Sequence, residues 1–268
     1  MTRYMLRAFS TSHLALLLLL LSSSAARSQE EPLRSDRPDF TESSSTVGRG
    51  RVQLEGGYTF THDSEAGIET DEHVLPELLL RAGLSDTVEF RLSWEGWIQS
   101  RIEDGAIRDR VEGTADLEVG VKIEITEQCD CCLRPETAVI VSTTVPSGEE
   151  FGSEEVQPLV NFLYSWELNE CLSLAGSTGL AALDEDDDDF LEISQSLSLS
   201  RSLNDDVGAY FEWYSLMRHS AEVGPEHYLN GGFTFLLNPN FQLDVRAGFG
   251  LNDQADDFFA GTGFAKRW

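Results

Sequence analysis

Apolar and polar residues alternate along most of this chain in stretches of about ten residues, the length of a membrane-crossing strand. Between residues 111 and 126, every odd position is Val, Gly, Ala, Leu or Ile, while charged and polar residues occupy most even positions. A period of two places successive side chains on opposite faces of a β-strand. Strands with one apolar and one polar face, long enough to cross a bilayer, are typical of transmembrane β-barrels.

Two kinds of connection alternate between the predicted strands, which number about twelve from Arg51 onward. Short turns rich in Asn and Asp lie near residues 85–86, 169–170, 204–206 and 238–240. Longer acidic segments lie between them, at residues 63–72, 103–110, 147–155, 184–189, 220–226 and 252–256. The sequence therefore predicts an all-β fold, a closed antiparallel barrel with short periplasmic turns and longer extracellular loops. A soluble β-sandwich is the alternative, but strands of this length with alternating connections disfavour it.

The N-terminal residues differ from the rest of the chain. Arg3 and Arg7 precede an apolar run at residues 14–21, and small residues follow at 24–26, which predicts a secretory signal peptide over residues 1–26. Residues 27–50 are polar and aperiodic, so we predict a periplasmic segment there and a barrel over residues 51–268. An exported barrel is expected in the outer membrane of a Gram-negative-type bacterium, in contact with its lipid.

Acids outnumber bases on the polar faces of the predicted strands. The charged residues expected to line the lumen are Glu77, Arg81, Glu89, Arg91, Glu95, Asp116, Glu118, Lys122, Glu124, Glu212, Asp244 and Arg246. Such a lumen either holds a narrow aqueous path or is closed by networks of ion pairs, and the sequence leaves both open. If the lumen conducts, the charge favours cations or neutral solutes.

The overall charge and the cysteines limit the partners and the chemistry. A formal net charge of -28 repels nucleic acid, which we exclude as a partner. In an oxidising compartment, a disulfide is expected between Cys171 and the turn that carries Cys129, Cys131 and Cys132, although spacing does not fix the pairing.

No cofactor or metal site is predicted, because the acidic run at 184–189 lacks the spacing of a calcium loop. Serine-hydrolase and zinc-protease motifs are also missing, so the chain is not expected to be an enzyme.

Two stretches resemble a known bacterial family. Residues 35–43, Ser-Asp-Arg-Pro-Asp-Phe-Thr-Glu-Ser, and residues 50–58, Gly-Arg-Val-Gln-Leu-Glu-Gly-Gly-Tyr, are similar to the N-terminal motif of the transporter-like outer-membrane family labelled "putative MetA-pathway of phenol degradation". The similarity continues at residues 75–84 and 88–91. The resemblance implies a passive or facilitated channel for small molecules, including hydrophobic or aromatic ones. A non-conducting structural or adhesive barrel is the alternative, and an outer-membrane enzyme is a weaker one.

Asp36, Arg37 and Asp39 surround the conformationally rigid Pro38 in this motif. Two acids and one base in such a short segment can form ion pairs with charged residues of the lumen. The expected partners are Arg81, Glu89, Arg91 and Glu95. We predict that the segment folds into the periplasmic mouth of the barrel and restricts the pore.

Overall fold

The structure, a computed structural model, describes residues 31–129, 133–185, 188–219 and 224–268. The predicted signal peptide, Cys131, Cys132 and part of the predicted loop at 220–226 lie outside these ranges. Residues 32–268 form one unit. Within the described ranges, no helix has the length and apolar character needed to cross a membrane.

The alternating sequence forms antiparallel strands, because β-branched and aromatic residues favour extended backbone and each strand pairs with its neighbours. The strands are β1 (Val52–Glu65), β2 (Ile68–Gly83), β3 (Val88–Trp94), β4 (Trp97–Asp104), β5 (Ile107–Thr114), β6 (Leu117–Thr126), β7 (Glu136–Val145), β8 (Pro158–Asn169), β9 (Leu172–Glu185), β10 (Asp188–Ser202), β11 (Val207–His219), β12 (Glu226–Asn238), β13 (Phe241–Gly250) and β14 (Phe258–Arg267).

The sheet closes on itself, since β1 pairs with both β2 and β14. β3 and β4 are successive parts of one long strand that is interrupted at Glu95 and Gly96, and both pair with β2. β5 and β6 are likewise parts of one strand, interrupted at Ala115 and Asp116. The wall therefore consists of twelve antiparallel strands, which confirms the predicted closed barrel.

The β4–β5 hairpin extends the wall beyond the closed ring. β4 pairs with the first half of β2, and β5 pairs with β4 alone among the named strands. The connection from β7 to β8 lies against the far edge of the hairpin, where Ala115 forms an isolated bridge with Phe151. This connection therefore covers backbone groups that would otherwise form an open edge.

The two ends of the barrel differ. Leu33, the C-terminal Trp268 and the turns at 84–87, 170–171, 203–206 and 239–240 share one end, which we name the turn end. Val52 and Trp268 exchange backbone hydrogen bonds there. The opposite end, the loop end, carries the connections at 146–157 and 251–257. One connection at the turn end, residues 127–135, is longer than a tight turn.

Three predicted loops are shorter in the structure than in the sequence-based prediction. Strands continue through most of residues 63–72, 103–110 and 184–189, so that β1 ends at Glu65 and β2 already begins at Ile68. The apolar alternation stops before these strand ends. Hairpins that project beyond the membrane meet water on both faces, so they pair without an apolar face.

The distribution of polarity is the inverse of that in a soluble protein. On β10, Leu197 is 46% exposed while its neighbours Ser196 and Ser198 are fully buried. The large side chains that are fully buried include Arg81, Lys122, Glu89, Glu212 and Asp244. The exposed apolar side chains include Leu180, Phe211, Phe233, Val245 and Phe249. An apolar exterior around a charged interior is the arrangement that a barrel needs in lipid.

Candidate functional site

Residues 33–47, which we name the luminal segment, lie in the interior of the barrel, and both ends of the segment contact the turn end. The Leu33 amide donates a hydrogen bond of 2.8 Å to the Pro239 carbonyl at the turn end. At the other end of the segment, the Val47 amide donates to the Glu89 carboxylate at 2.9 Å. Leu33, Thr41 and Val47 are buried. Because the charged faces of the strands point inward, the segment occupies the space that an open barrel would leave to water.

Asp36 is the centre of a buried ion cluster. Both of its carboxylate oxygens lie 3.0 Å from Lys122 Nζ, and Arg91 Nη1 also donates to this carboxylate. Arg81 Nη1 lies 3.2 Å from Asp36 Oδ1 and pairs with Glu89 through Nε at 2.9 Å. Burial alone would raise the pKa of Asp36, but the three surrounding cations hold it well below its usual range. Asp36 is therefore an ionised anchor.

Arg37 binds a second set of acids on the lumen wall. Its guanidinium contacts Glu77 on β2 at 2.8 Å and Asp244 on β13 at 3.4 Å. Gly57 on β1 and Gly263 on β14 leave room for this group, because a Cβ at either position would lie 2.4 Å from a guanidinium nitrogen. Two neighbouring residues of the segment thus form ion pairs in different directions across the barrel.

Glu212 on β11 holds the middle of the luminal segment. Its carboxylate accepts hydrogen bonds from the backbone amides of Phe40 and Thr41, both at 2.7 Å. The Phe40 ring stacks on Tyr214, with 4.5 Å between ring centroids. These contacts fix the backbone and one side chain of the segment against the wall.

Asp39 lies close to Glu212 and accepts a hydrogen bond of 2.8 Å from Ser198 Oγ. Burial raises the pKa of Asp39 well above its usual value, and the negative charge of Glu212 raises it further. Asp39 and Asp36 therefore have opposite pKa shifts although they are three positions apart.

The luminal segment contacts nine of the twelve predicted lumen residues. These nine are Glu77, Arg81, Glu89, Arg91, Lys122, Glu124, Glu212, Asp244 and Arg246. The other three, Glu95, Asp116 and Glu118, line an open cavity of about 980 Å³ toward the loop end. The structure thus separates the predicted lumen residues into a cluster around the segment and a group that faces empty space.

Several residues of the site are not among those that the sequence predicts. Glu42 pairs with Arg91, and Asn161 donates to Glu42 at 3.1 Å. Ser44 donates to Glu136 at 2.6 Å. Ser177 and Ser196 are fully buried and lie 2.7 Å apart through their hydroxyls. The alternation of serine with leucine along β10 is the sequence signal that could have indicated this polar wall.

The predicted disulfide to Cys171 is not formed in the structure, in which Cys171 is an exposed free thiol. Cys129 is half-buried in the connection at 127–135. This connection lies against β8, because the Gln128 amide group exchanges hydrogen bonds with the backbone of Glu167. The cysteine-bearing turn and the β8–β9 turn with Cys171 are therefore neighbours at the turn end.

A closed ring of twelve strands with an apolar exterior and a charged, segment-filled interior defines the class: a transmembrane β-barrel of the outer-membrane type. The chain belongs to the family described as "Putative MetA-pathway of phenol degradation", whose sequence model matches residues 35–268. This match confirms the resemblance of the N-terminal motif and extends it through the whole barrel.

Solved structures with the same fold are outer-membrane proteins. The COG4313 outer membrane channel from Pseudomonas putida F1 is 11% identical, with a TM-score of 0.60 over 84% of this chain and 98% of that chain. The translocator domain of the autotransporter NalP from Neisseria meningitidis is 13% identical, with a TM-score of 0.56 over 82% and 89% of the two chains. The NanC porin is 10% identical, with a TM-score of 0.51 over 80% and 98%. No curated protein matches this chain. At these identities the similarities show the fold.

Proposed function

We propose that the protein is an outer-membrane channel for small molecules and that the luminal segment restricts its conductance. The observation that carries this proposal is the filling of the lumen by residues 33–47, which contact wall strands from β1 to β13. Short side chains line the wall where the segment passes, including Ser196, Ser198 and Gly57. A barrel that served only as a scaffold could fill its interior with side chains of its own strands. Here residues of the luminal segment occupy that space and bind the wall strands.

The contacts that hold the segment are polar, which suits a reversible restriction. Ion pairs and hydrogen bonds can be exchanged for water when the segment moves, whereas apolar packing has no such replacement. We place the turn end in the periplasm, because outer-membrane barrels carry their short turns on that side. The luminal segment then enters from the periplasm, after export by the predicted signal peptide.

The solute class follows from the family and the barrel. The family is described by a link to phenol degradation, and the similar Pseudomonas putida protein is described as an outer membrane channel. We therefore propose small molecules, among them aromatic compounds, as the permeants. The activity needs no catalytic group, and His62 and His73 have structural partners in Asp71 and Tyr58.

A non-conducting structural barrel is the second candidate, because a buried cluster around Asp36 could hold the segment permanently in place. Liposome swelling with a graded series of neutral sugars, amino acids and benzyl alcohol separates the two. The channel proposal predicts swelling that depends on solute size and that increases when residues 34–45 are deleted. If neither the full-length barrel nor the deletion variant admits any solute, the structural alternative is correct. Retarded gel migration before boiling verifies that both forms are folded.

A further inference from the structure

The open cavity toward the loop end has a charged wall and an apolar wall. Its volume of about 980 Å³ is large enough for a small organic molecule. Three glutamates line one side of the cavity: Glu72 of β2, Glu95 between β3 and β4, and Glu118 of β6. Leu183 of β9 and Phe190 of β10 line another side. The two kinds of surface therefore face the same space.

The carboxylates of this cavity lack the cations that neutralise the acids around the luminal segment. Among the described residues, Glu72, Glu95 and Glu118 form no ion pair. Glu77, Glu118 and Glu72 act on Glu95, and all three are acids. Like charges that share a confined space repel one another, and a bound cation removes that repulsion. The acidic wall of the cavity therefore favours the binding of a cation from outside the protein.

The basic residue of the cavity lining is already engaged. Arg218 pairs with Glu192 at 3.3 Å, and its guanidinium lies over the Phe190 ring at 5.3 Å from the centroid. This arrangement places one cation of the wall over a face of the Phe190 ring. Arg218 therefore leaves Glu95 and Glu118 without compensation on the opposite wall.

A bare metal ion does not fit this arrangement. In the part of the chain that the structure describes, no three His, Cys, Asp or Glu side chains are grouped closely enough to hold a metal. Separated carboxylates suit a larger cation whose charge is spread over several atoms and whose remaining surface is apolar. Trp94 and Phe151 add aromatic surface to the same cavity.

We propose that this cavity is a binding site for organic cations that carry an aromatic or alkyl group, with Glu95 and Glu118 as the charge partners and Phe190 as the apolar partner. This inference deepens the proposed function. It rests on that function only in placing the binding site on the path that solutes take through the barrel. The acidic character of the whole protein raises the local concentration of cations at the loop end. Binding itself requires no conduction.

Isothermal titration of the folded full-length barrel in detergent tests the site directly. The probes are benzyltrimethylammonium, tetramethylammonium, benzyl alcohol and benzoate. We expect benzyltrimethylammonium to bind at least tenfold more tightly than each of the other three, because it alone combines positive charge with an aromatic ring. Equal affinity for benzyl alcohol or benzoate would overturn the role of the acids. Equal affinity for tetramethylammonium would overturn the role of the aromatic wall.

Three variants place the binding in this cavity. The double variant Glu95→Gln/Glu118→Gln is expected to lose at least tenfold in affinity for benzyltrimethylammonium, and Phe190→Leu several-fold. Glu155→Gln is the matched control, since Glu155 is exposed on the same loop end but does not line the cavity. If the double variant binds as tightly as the unchanged protein, or if Glu155→Gln loses as much, the site is not here. A barrel that binds the probe but never conducts would refute the proposed function and leave this site standing.

Discussion

Asp36 of the luminal segment and Lys122 of β6 face each other inside the barrel, with both Asp36 carboxylate oxygens 3.0 Å from the Lys122 ammonium. Both side chains are buried, and Arg81 and Arg91 approach the same carboxylate. A residue before the first strand is thus a shared partner of three cations that the wall strands supply. This relationship makes the luminal segment part of the folded barrel.

Replacing Asp36 by Asn removes the anion that these three cations share. Loss of one partner from a buried ion cluster costs about 3 kcal/mol or more. We expect the docked state of the segment to lose a free energy of this order, visible as faster hydrogen–deuterium exchange of the amides in residues 36–47. Asp205→Asn, an exposed change at the turn end, is the control and should leave exchange unchanged. Unaltered exchange in the Asp36 variant would show that the cluster does not hold the segment.

Replacing Glu212 by Ala removes the acceptor of the Phe40 and Thr41 amides. Hydrogen bonds to a charged acceptor contribute about 1.5–3 kcal/mol each when buried. We expect faster exchange at these two amides and a smaller effect in Glu212→Gln, whose amide oxygen still accepts from one of them. If exchange speeds up equally in both variants, the carboxylate charge and not the acceptor geometry holds the segment.

The docking of the segment should depend on pH through Asp39. Because burial and Glu212 raise the pKa of Asp39 in the docked state, docking favours its protonated form. The stabilisation is complete below the ordinary pKa of an aspartate and is lost as the pH rises through the raised value. Asp36, whose pKa is lowered, stays ionised throughout this window and contributes no pH dependence there.

Single-channel open probability measured between about pH 4 and pH 8 checks this dependence. We expect it to increase with pH in the unchanged protein and to increase less in Asp39→Asn, where Glu42, whose pKa burial also raises, still titrates. An undiminished pH response in Asp39→Asn would assign the titration to other groups.

Gly57→Ala should displace the Arg37 guanidinium, because the added Cβ would lie 2.4 Å from a guanidinium nitrogen. The arginine tip can shift, so we expect a moderate loss of docking free energy, on the order of 1 kcal/mol, through weaker pairing with Glu77 and Asp244. The control is Gly224→Ala, where the nearest atom lies 3.4 Å away. Hydrogen–deuterium exchange of the segment in both variants measures the difference. Equal exchange rates in the two variants would show that the Arg37 guanidinium tolerates a Cβ at position 57.

The orientation of the barrel can be read from Cys171, which is exposed at the turn end. In a background with Cys129, Cys131 and Cys132 changed to Ser, a membrane-impermeant maleimide should label Cys171 only after the outer membrane is opened. Cys171→Ser in the same background controls for non-specific labelling. Labelling of intact cells would place the turn end outside and reverse the proposed orientation.

The barrel could be predicted from the sequence because the cause is local: alternation along each strand and turn residues between strands. The two strand interruptions, at residues 95–96 and 115–116, could not be predicted in this way. Alternation continues without a change through Ala115 and Asp116, yet the structure separates β5 from β6 at that point. Asp116 accepts hydrogen bonds from the amides of Ser147, Gly148 and Ser153, and this distant loop has no counterpart in the local pattern.

The same distinction applies to the site. The inward position of charges such as Lys122 and Glu212 follows from the two-residue period. Which of them meets the luminal segment depends on where the segment lies in three dimensions. The sequence alone therefore does not link Phe40 and Thr41 to Glu212.

The single-channel conductance of the barrel with and without residues 34–45 tests the central claim most directly. We predict that the deletion variant, folded by the gel-migration criterion, has a conductance several-fold higher and steadier than that of the full-length protein at the same salt concentration. An unchanged conductance would contradict the claim, because a segment that fills the lumen cannot be removed without widening the path.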